Sequence, residues 1–361
     1  MLKACRRLKA LSRAAASRQA TVVAHKKQEV FKVIVKSTIT DEELKRAKDI
    51  SDKILNYYNS KVVGQPFLGA AILVAMMNNG HILLESVPGL AKTTAAKVMT
   101  DAVHGSFSRI QCTPDLIPSD IVGTQIFNMA TNSFETKIGP VFANFVLLDE
   151  INRSSAKTQS AMLEAMAEHE VTIGGEIYKM PDVFVVIATQ NPIEQEGTYE
   201  LAEAQMDRFL LKVELNYPDP ASEVEILNRI EADVFSKREA VCDLNDILFL
   251  QEASRKVYLD PAVKQYIVDI VQASRNTKQL IHPNLSQYVT MGASTRAAIT
   301  FMAVSKSIAL LNGRNYVTPD DVRAMRYEVL RHRIMLNFAA VADGVQEETI
   351  IDAIIGAVRT P

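Results

Sequence analysis

The stretch from His81 to Thr94, HILLESVPGLAKTT, constrains this chain more than any other. His81 to Glu85 is a short apolar run that reads as a strand. Ser86 to Ala91 reads as a turn, with Pro88 and Gly89 at its bend and Leu90 beyond them. Lys92, Thr93 and Thr94 open a helix continued by Ala95, Ala96, Val98 and Met99. Strand, turn and helix start together make a phosphate-binding loop. Backbone N–H groups and the positive end of the helix surround the anion. A lysine adds charge, and a hydroxyl reaches a magnesium ion. The usual pattern is G-x-x-x-x-G-K-[ST], and here Ser86 and Ala91 replace both glycines. Taken alone, the stretch is therefore also readable as an ordinary β-turn-α connection, and the residues downstream decide.

FVLLDE, Phe145 to Glu150, is the partner such a loop needs. Four apolar residues bury a strand, and two acids emerge at its C-terminal end, the edge where open α/β sheets bind ligands. Asp149 is placed to hold magnesium with Thr93, and Glu150 to activate the attacking water. A third apolar run, Phe184 to Ala188, leads to Thr189-Gln190-Asn191-Pro192, so Asn191 reaches the same edge with an amide. Arg208, in EAQMDRF before the last strand, is either a surface ion-pair residue or an arginine finger for a transferring phosphoryl group.

The 361 residues suffice for two domains. The hydrophobic fraction of 48% and charged fraction of 23% fit a soluble globular protein. A net charge of −2 argues against a generally basic nucleic-acid surface, and stable nucleic-acid binding is not expected. Cys5, Cys112 and Cys242 are too scattered for a disulfide framework or metal cluster and suggest a reducing, cytoplasmic setting. No run is long and apolar enough to span a bilayer. Residues 1–28 carry eight Lys and Arg before the first acid, Glu29. This segment reads as a solvated tail within residues 1–39; a basic amphipathic contact and a transit peptide are the alternatives.

Within an α/β part over 40–219, Thr40 to Glu43 reads as a capping box that opens a helix, and strands alternate with helices and irregular stretches from Ser106 to Asp219. Two segments read as hairpins, Ile121 to Ile138 and Val171 to Tyr178, the second turning at Gly174-Gly175, and Asp260-Pro261 reads as an N-cap followed by a first-turn proline. From 220 to 361 only helices are predicted, over 221–231, 244–257, 261–275, 295–312, 319–333 and 346–358. The fold class is thus α/β, a parallel phosphate-loop sheet flanked by helices, followed by an all-helical lid.

The order of these motifs resembles that of the AAA+ ATPases and, within them, the MoxR family, over roughly residues 40–340. The likeness is carried by LESVPGLAKT (Leu84–Thr93), RIQCTPDLIPSD (Arg109–Asp120), DEINR (Asp149–Arg153), KTQSAMLEAM (Lys157–Met166), VTIGG (Val171–Gly175), IATQNPIEQEGTY (Ile187–Tyr199), EAQMDRF (Glu203–Phe209) and GASTRA (Gly292–Ala297). The resemblance implies Walker A roles for Lys92 and Thr93, Walker B roles for Asp149 and Glu150, and sensor 1 for Asn191. It implies the arginine finger for Arg208, sensor 2 for Arg296, and an adenine-pocket segment at Val63-Gly64-Gln65. It also implies ATP with Mg2+, a ring of copies, typically hexameric, and a von Willebrand factor A domain partner for chaperone-like remodelling. Alanine is usual in the family at position 91, whereas Ser86 stands where it usually has glycine. If the turn needs a left-handed or closely approached backbone at 86, serine weakens nucleotide handling and Ser86→Gly should improve it; if residue 86 is ordinary extended backbone at the strand end, serine costs nothing. Three functions follow: a protein-remodelling ring ATPase, a nucleotide-gated scaffold with weak hydrolysis, and a nucleic-acid motor.

Overall fold

The computed structural model describes residues 38–87, 89–192, 198–232 and 239–361. The basic tail read at 1–28 and Pro88 lie outside them. Residues Ile39–Pro361 form one unit.

Helix α1 (Asp41–Lys61) starts as its sequence predicts, in a capping box. The Thr40 hydroxyl accepts from the Glu43 N–H at 3.1 Å, and the Glu43 carboxylate accepts from the Thr40 N–H at 2.8 Å. Helix α2 (Pro66–Met77) is buried nearly all round, from Leu68 through Met77 except Ala70. Strand β1 (Ile82–Glu85) and helix α3 (Lys92–Ala102) flank the turn. Strand β2 (Phe107–Gln111), the short helix α4 (Pro118–Val122) and the hairpin β3 (Gly123–Asn128) with β4 (Ser133–Ile138) follow. Then come β5 (Phe145–Asp149), α5 (Ala156–Glu168), the hairpin β6 (Glu170–Ile173) with β7 (Glu176–Lys179), β8 (Val185–Gln190), α6 (Glu203–Met206) and β9 (Leu211–Glu214).

Five strands form one sheet in the order β2-β5-β8-β1-β9, every pair parallel. Both faces are covered, which is why the strands read as continuous apolar runs. Ile82, Leu84, Phe145, Leu147, Val185 and Ile187 pack into one core with α1, α2 and α3. Leu83, Val146, Leu148, Val186 and Ala188 pack on the other face, against Met162, Leu163 and Met166 of α5.

The first predicted hairpin is shorter than expected. Ile121 and Val122 belong to α4, and Gly123 (φ 108°) turns the chain into β3. A Cβ at Gly123 would lie 2.3 Å from the Lys137 carbonyl oxygen, so glycine fits there for space as well as for φ.

The C-terminal part contains α7 (Pro220–Glu231), α8 (Leu244–Lys256), α9 (Pro261–Arg275), α10 (Thr277–Leu280) and α11 (Pro283–Ser286). After strand β10 (Val289–Met291) come α12 (Thr295–Leu311), α13 (Pro319–Arg323), α14 (Arg326–Leu330), strand β11 (Met335–Leu336), α15 (Phe338–Ala342) and α16 (Glu347–Ala357). Two expectations are corrected. The antiparallel pair β10–β11 interrupts the helices; at three and two residues its strands are too short to show alternation. The helix predicted over 319–333 breaks at Met325, whose ψ of 34° is not helical.

Candidate functional site

The ends of β1, β2, β5 and β8 share one edge of the sheet. Beyond β1 the Ser86 N–H donates to the Gln190 carbonyl at 3.2 Å, prolonging the ladder, and its hydroxyl donates to the Val87 carbonyl at 3.1 Å. Ser86 is not among the positive-φ residues. The expected left-handed penalty at 86 is therefore absent, because the residue still belongs to the sheet. The left-handed positions are Gly89 (φ 88°) and Ala91 (φ 54°, ψ 23°). Leu90 is buried beneath the turn. Helix α3 then opens at Lys92, Thr93 and Thr94 with neither a side-chain cap nor an acid in its first turn. Its first N–H groups have no partner within the helix and sit at the positive end of its dipole.

Asp149 ends β5 and is 9% exposed. Its Oδ1 accepts from the Thr189 hydroxyl at 2.9 Å, and its Oδ2 pairs with Arg109 at 2.6 Å. Glu150 stands in the left-handed region (φ 59°, ψ 53°) and donates its N–H to Thr189 Oγ1 at 2.8 Å. One hydroxyl thus fixes both acids. The Glu150 carboxylate accepts from Gln111 at 3.0 Å and pairs with Arg153 at 3.2 Å. Arg109 donates to Gln111 at 3.1 Å, so Asp149, Arg109, Gln111, Glu150 and Arg153 form one charged chain across β2 and β5. Asn191, one residue beyond β8, is buried. Since β8 lies between β5 and β1, Asn191 stands between the acids and the turn. Beneath them burial pushes the Cys112 thiol up to about 12, helped by the Asp149 and Glu150 carboxylates, so it is a protonated core group. Val63, Gly64 and Gln65 lie between α1 and α2. Gln65 donates to the Asn216 carbonyl at 3.0 Å, and Gly64 backs onto Pro218.

Arg208 and Arg296 are elsewhere. The Leu210 N–H donates to the His81 carbonyl, and Leu211 pairs with Ile82, so the start of β9 lies beside the start of β1. Arg208 precedes that point and therefore occupies the sheet edge opposite the turn. β1 alone separates the two edges by about 10 Å at the usual rise per residue. The Arg208 guanidinium is exposed and donates to the Leu163 carbonyl at 2.7 Å. Arg296, in the first turn of α12, lies 3.5 Å from Asp207. The structure groups Lys92, Thr93, Asp149, Glu150 and Asn191 at one edge and Arg208 with Arg296 at the other.

Residues 81–211 match the family model of the ATPase family associated with various cellular activities (AAA), and residues 284–354 match the AAA lid domain. The chain is 45% identical over 300 residues to "Chaperone MoxR1" of Mycobacterium tuberculosis, which covers 83% of this chain and 79% of that protein. The chain belongs to the MoxR family of AAA+ ATPases. "Protein MoxR" of Paracoccus denitrificans is 27% identical over 317 residues, 83% of this chain and 91% of that one. A crystal structure of a candidate ATPase from Cytophaga hutchinsonii superposes with a TM-score of 0.83 at 41% identity, covering 89% of this chain and 97% of the other. Membership in this family implies nucleotide binding.

The MoxR-family edge fits a magnesium nucleotide on its donor set. Mg2+ takes one or two protein oxygens and completes its shell with phosphates and water. Among the described residues no group of three or more His, Cys, Asp or Glu could cage a metal. Asp149 already binds a cation, the Arg109 guanidinium. Sequence reasoning gave no role to Arg109, Gln111, Arg153 and Thr189, although all four lie in quoted motifs. Their meaning depends on β2, β5 and β8 being neighbours, which no local pattern reveals. Asp207 and Arg333 were missed for the same reason.

Proposed function

We propose that this chain is a protein-remodelling ATPase of the MoxR type, in which each nucleotide site is completed by a second copy. In this reading Val63, Gly64 and Gln65 border the base. The N–H groups from Gly89 to Thr94 and the Lys92 ammonium hold the phosphates. Pro88, read from the sequence as phosphate-binding, lies outside the described residues. Thr93 and Asp149 would hold Mg2+, which neutralises phosphate charge when bound. Glu150 takes the proton of the attacking water, and Asn191 orients that water. Arg208 and Arg296 stabilise charge on a neighbour's nucleotide, not their own. The observation that carries this reading is the placement of both arginines at the edge opposite their own turn. A ring of such copies, typically six, and a von Willebrand factor A domain partner complete the proposal. The weak-hydrolysis alternative rested on Ser86 and loses its motive with Ser86 in the ladder.

The test mixes two variants that are each inactive alone. Lys92→Ala keeps Arg208 but cannot hold nucleotide, and Arg208→Ala keeps the loop but lacks the finger. Mixed in equal amounts they should recover hydrolysis at the interfaces where an intact loop meets an intact Arg208. A mixture as inactive as its components would overturn the shared-site reading.

A further inference from the structure

Arg208 is the exposed member of a segment whose neighbours on both sides are held. Asp207 accepts from the Ser294 hydroxyl at 2.9 Å and from Arg333 Nε at 2.7 Å, and pairs with the Arg296 guanidinium at 3.5 Å. Phe209 is fully buried, and its carbonyl accepts from Arg333 Nη2 at 2.7 Å. The Arg333 side chain is only 1% exposed and also donates to the Val329 carbonyl at 2.5 Å, which ties it to the last turn of α14. Burial pulls the Arg333 pKa down, and the Asp207 carboxylate opposes this and supports its charge. Asp207 therefore gathers three groups from the helical region, two at the start of α12 and one before β11. All three reach the residue that shares a peptide bond with Arg208.

We infer that Asp207 is a positioning residue through which the helical region sets the placement of Arg208. A planar guanidinium donating to a carboxylate and to a carbonyl two residues on holds the intervening backbone in one geometry. A shift at the start of α12 must then break the bonds to Asp207 or carry Arg208 along. Such a shift, wherever it originates, reaches the finger without passing through the sheet. Asp207 touches no nucleotide in this arrangement; it also pairs with Arg296, and the inferred route of its effect on turnover is Arg208. The inference rests on the proposed finger role of Arg208.

The experiment is a double-mutant cycle on the full chain: Asp207→Asn, Arg208→Ala and the double variant, with turnover, affinity for a fluorescent ATP analogue, and melting temperature measured for each. Asparagine keeps the shape and one acceptor, so the fold has the means to survive. Asp207→Asn should lower turnover about tenfold while nucleotide affinity stays within about twofold, a loss confined to the transition state. In the Arg208→Ala background it should cost nothing further. An equal loss in both backgrounds, or none in the wild type, overturns the inference. Arg208→Ala that leaves turnover intact overturns the finger reading itself, which is a different result. Where the Arg208→Ala rate is too low to measure, hydrogen exchange of residues 205–210 decides. Asp207→Asn should speed exchange there about tenfold, and unchanged protection overturns the coupling.

Discussion

The two edges of the central sheet are built on opposite principles. At the edge where β1, β5 and β8 end, the candidate groups lie at strand ends or in the turn, and the two acids are fixed by close neighbours. Thr189 secures both Asp149 and Glu150, and Gln111 reaches Glu150 from the adjacent strand. At the other edge, Arg208 and Arg296 come from elements 88 residues apart and meet at Asp207, held by a third, Arg333. Both edges carry paired charges: two acids met by Arg109 and Arg153 at the first, and Arg296 and Arg333 gathered on Asp207 at the second. If the proposed roles hold, one chain carries both halves of a phosphoryl-transfer site in places where it cannot join them itself. On the proposed reading, that separation makes assembly a condition of hydrolysis.

Mutations can break this contrast. The largest effects belong to the first edge. Lys92→Ala should abolish measurable ATP binding by titration calorimetry. Glu150→Gln should keep affinity while cutting turnover on the order of 10⁴-fold, the upper range for a general base. Unchanged affinity in Lys92→Ala would remove the phosphates from that edge. Arg208→Ala comes next, with turnover falling on the order of 10³-fold at unchanged affinity. If it weakened binding as Lys92→Ala does, the edges would not be separate.

A third effect sharpens the contrast through pH. His81 precedes β1 at the second edge, fully enclosed. Its Nδ1 accepts from the Val186 N–H at 3.0 Å, so Nε2 carries the proton and donates to the Met166 carbonyl at 3.1 Å. Burial lowers its pKa to about 4 from 6.5, outweighing the Met166 bond. His332, against the Phe209 carbonyl, is also pushed well below 6.5 by burial and then by Arg333. Between the two pKa values the unfolded chain binds more protons than the folded one. Stability is therefore complete above about pH 6.5 and is lost as pH falls toward 4. His81 alone accounts for about 3 kcal/mol at about 1.4 kcal/mol per pKa unit. Urea unfolding at pH 7 and pH 4.5 measures the loss, and His81→Gln should flatten it. An equally steep profile in that variant would assign the acid lability to other groups. The smallest effects return to the turn. Ala91→Gly should raise stability by about 1 kcal/mol by relieving its left-handed backbone, and Ser86→Gly should leave nucleotide affinity unchanged. A several-fold gain in affinity at 86 with none in stability at 91 would reverse that assignment.

The first edge was largely legible in the sequence because its signals are local. An apolar run ending in Asp149-Glu150, another ending before Asn191, and a turn leading into Lys92-Thr93 each predict an element and its exposed tip. The capping box at Thr40, Pro261 after Asp260, and the Gly174-Gly175 turn were readable for the same reason. The strand order was not readable, since parallel neighbours are set by long connections. The partners Thr189, Gln111 and Arg109 therefore had no visible role. Nor could sequence show that α12 docks beside Asp207, which places Arg296, read from the resemblance as sensor 2, at the far edge. Sequence left two conformations open for Ser86, because its position relative to the ladder depends on Gln190, 104 residues away.

Among the described residues, six non-glycine positions have positive φ: Asn79, Ala91, His104, Asn132, Glu150 and His169. Four of them end a helix or turn a hairpin. Ala91 and Glu150 belong to the phosphate edge. A laboratory selection for heat resistance alone would test glycine at such positions, above all where no side-chain contact is lost, as at Ala91, since the substitution relaxes the backbone. At Glu150 the same step deletes the proposed base. Libraries meant to harden this scaffold should therefore hold position 150 fixed, because there the most stable residue and the working residue cannot be the same.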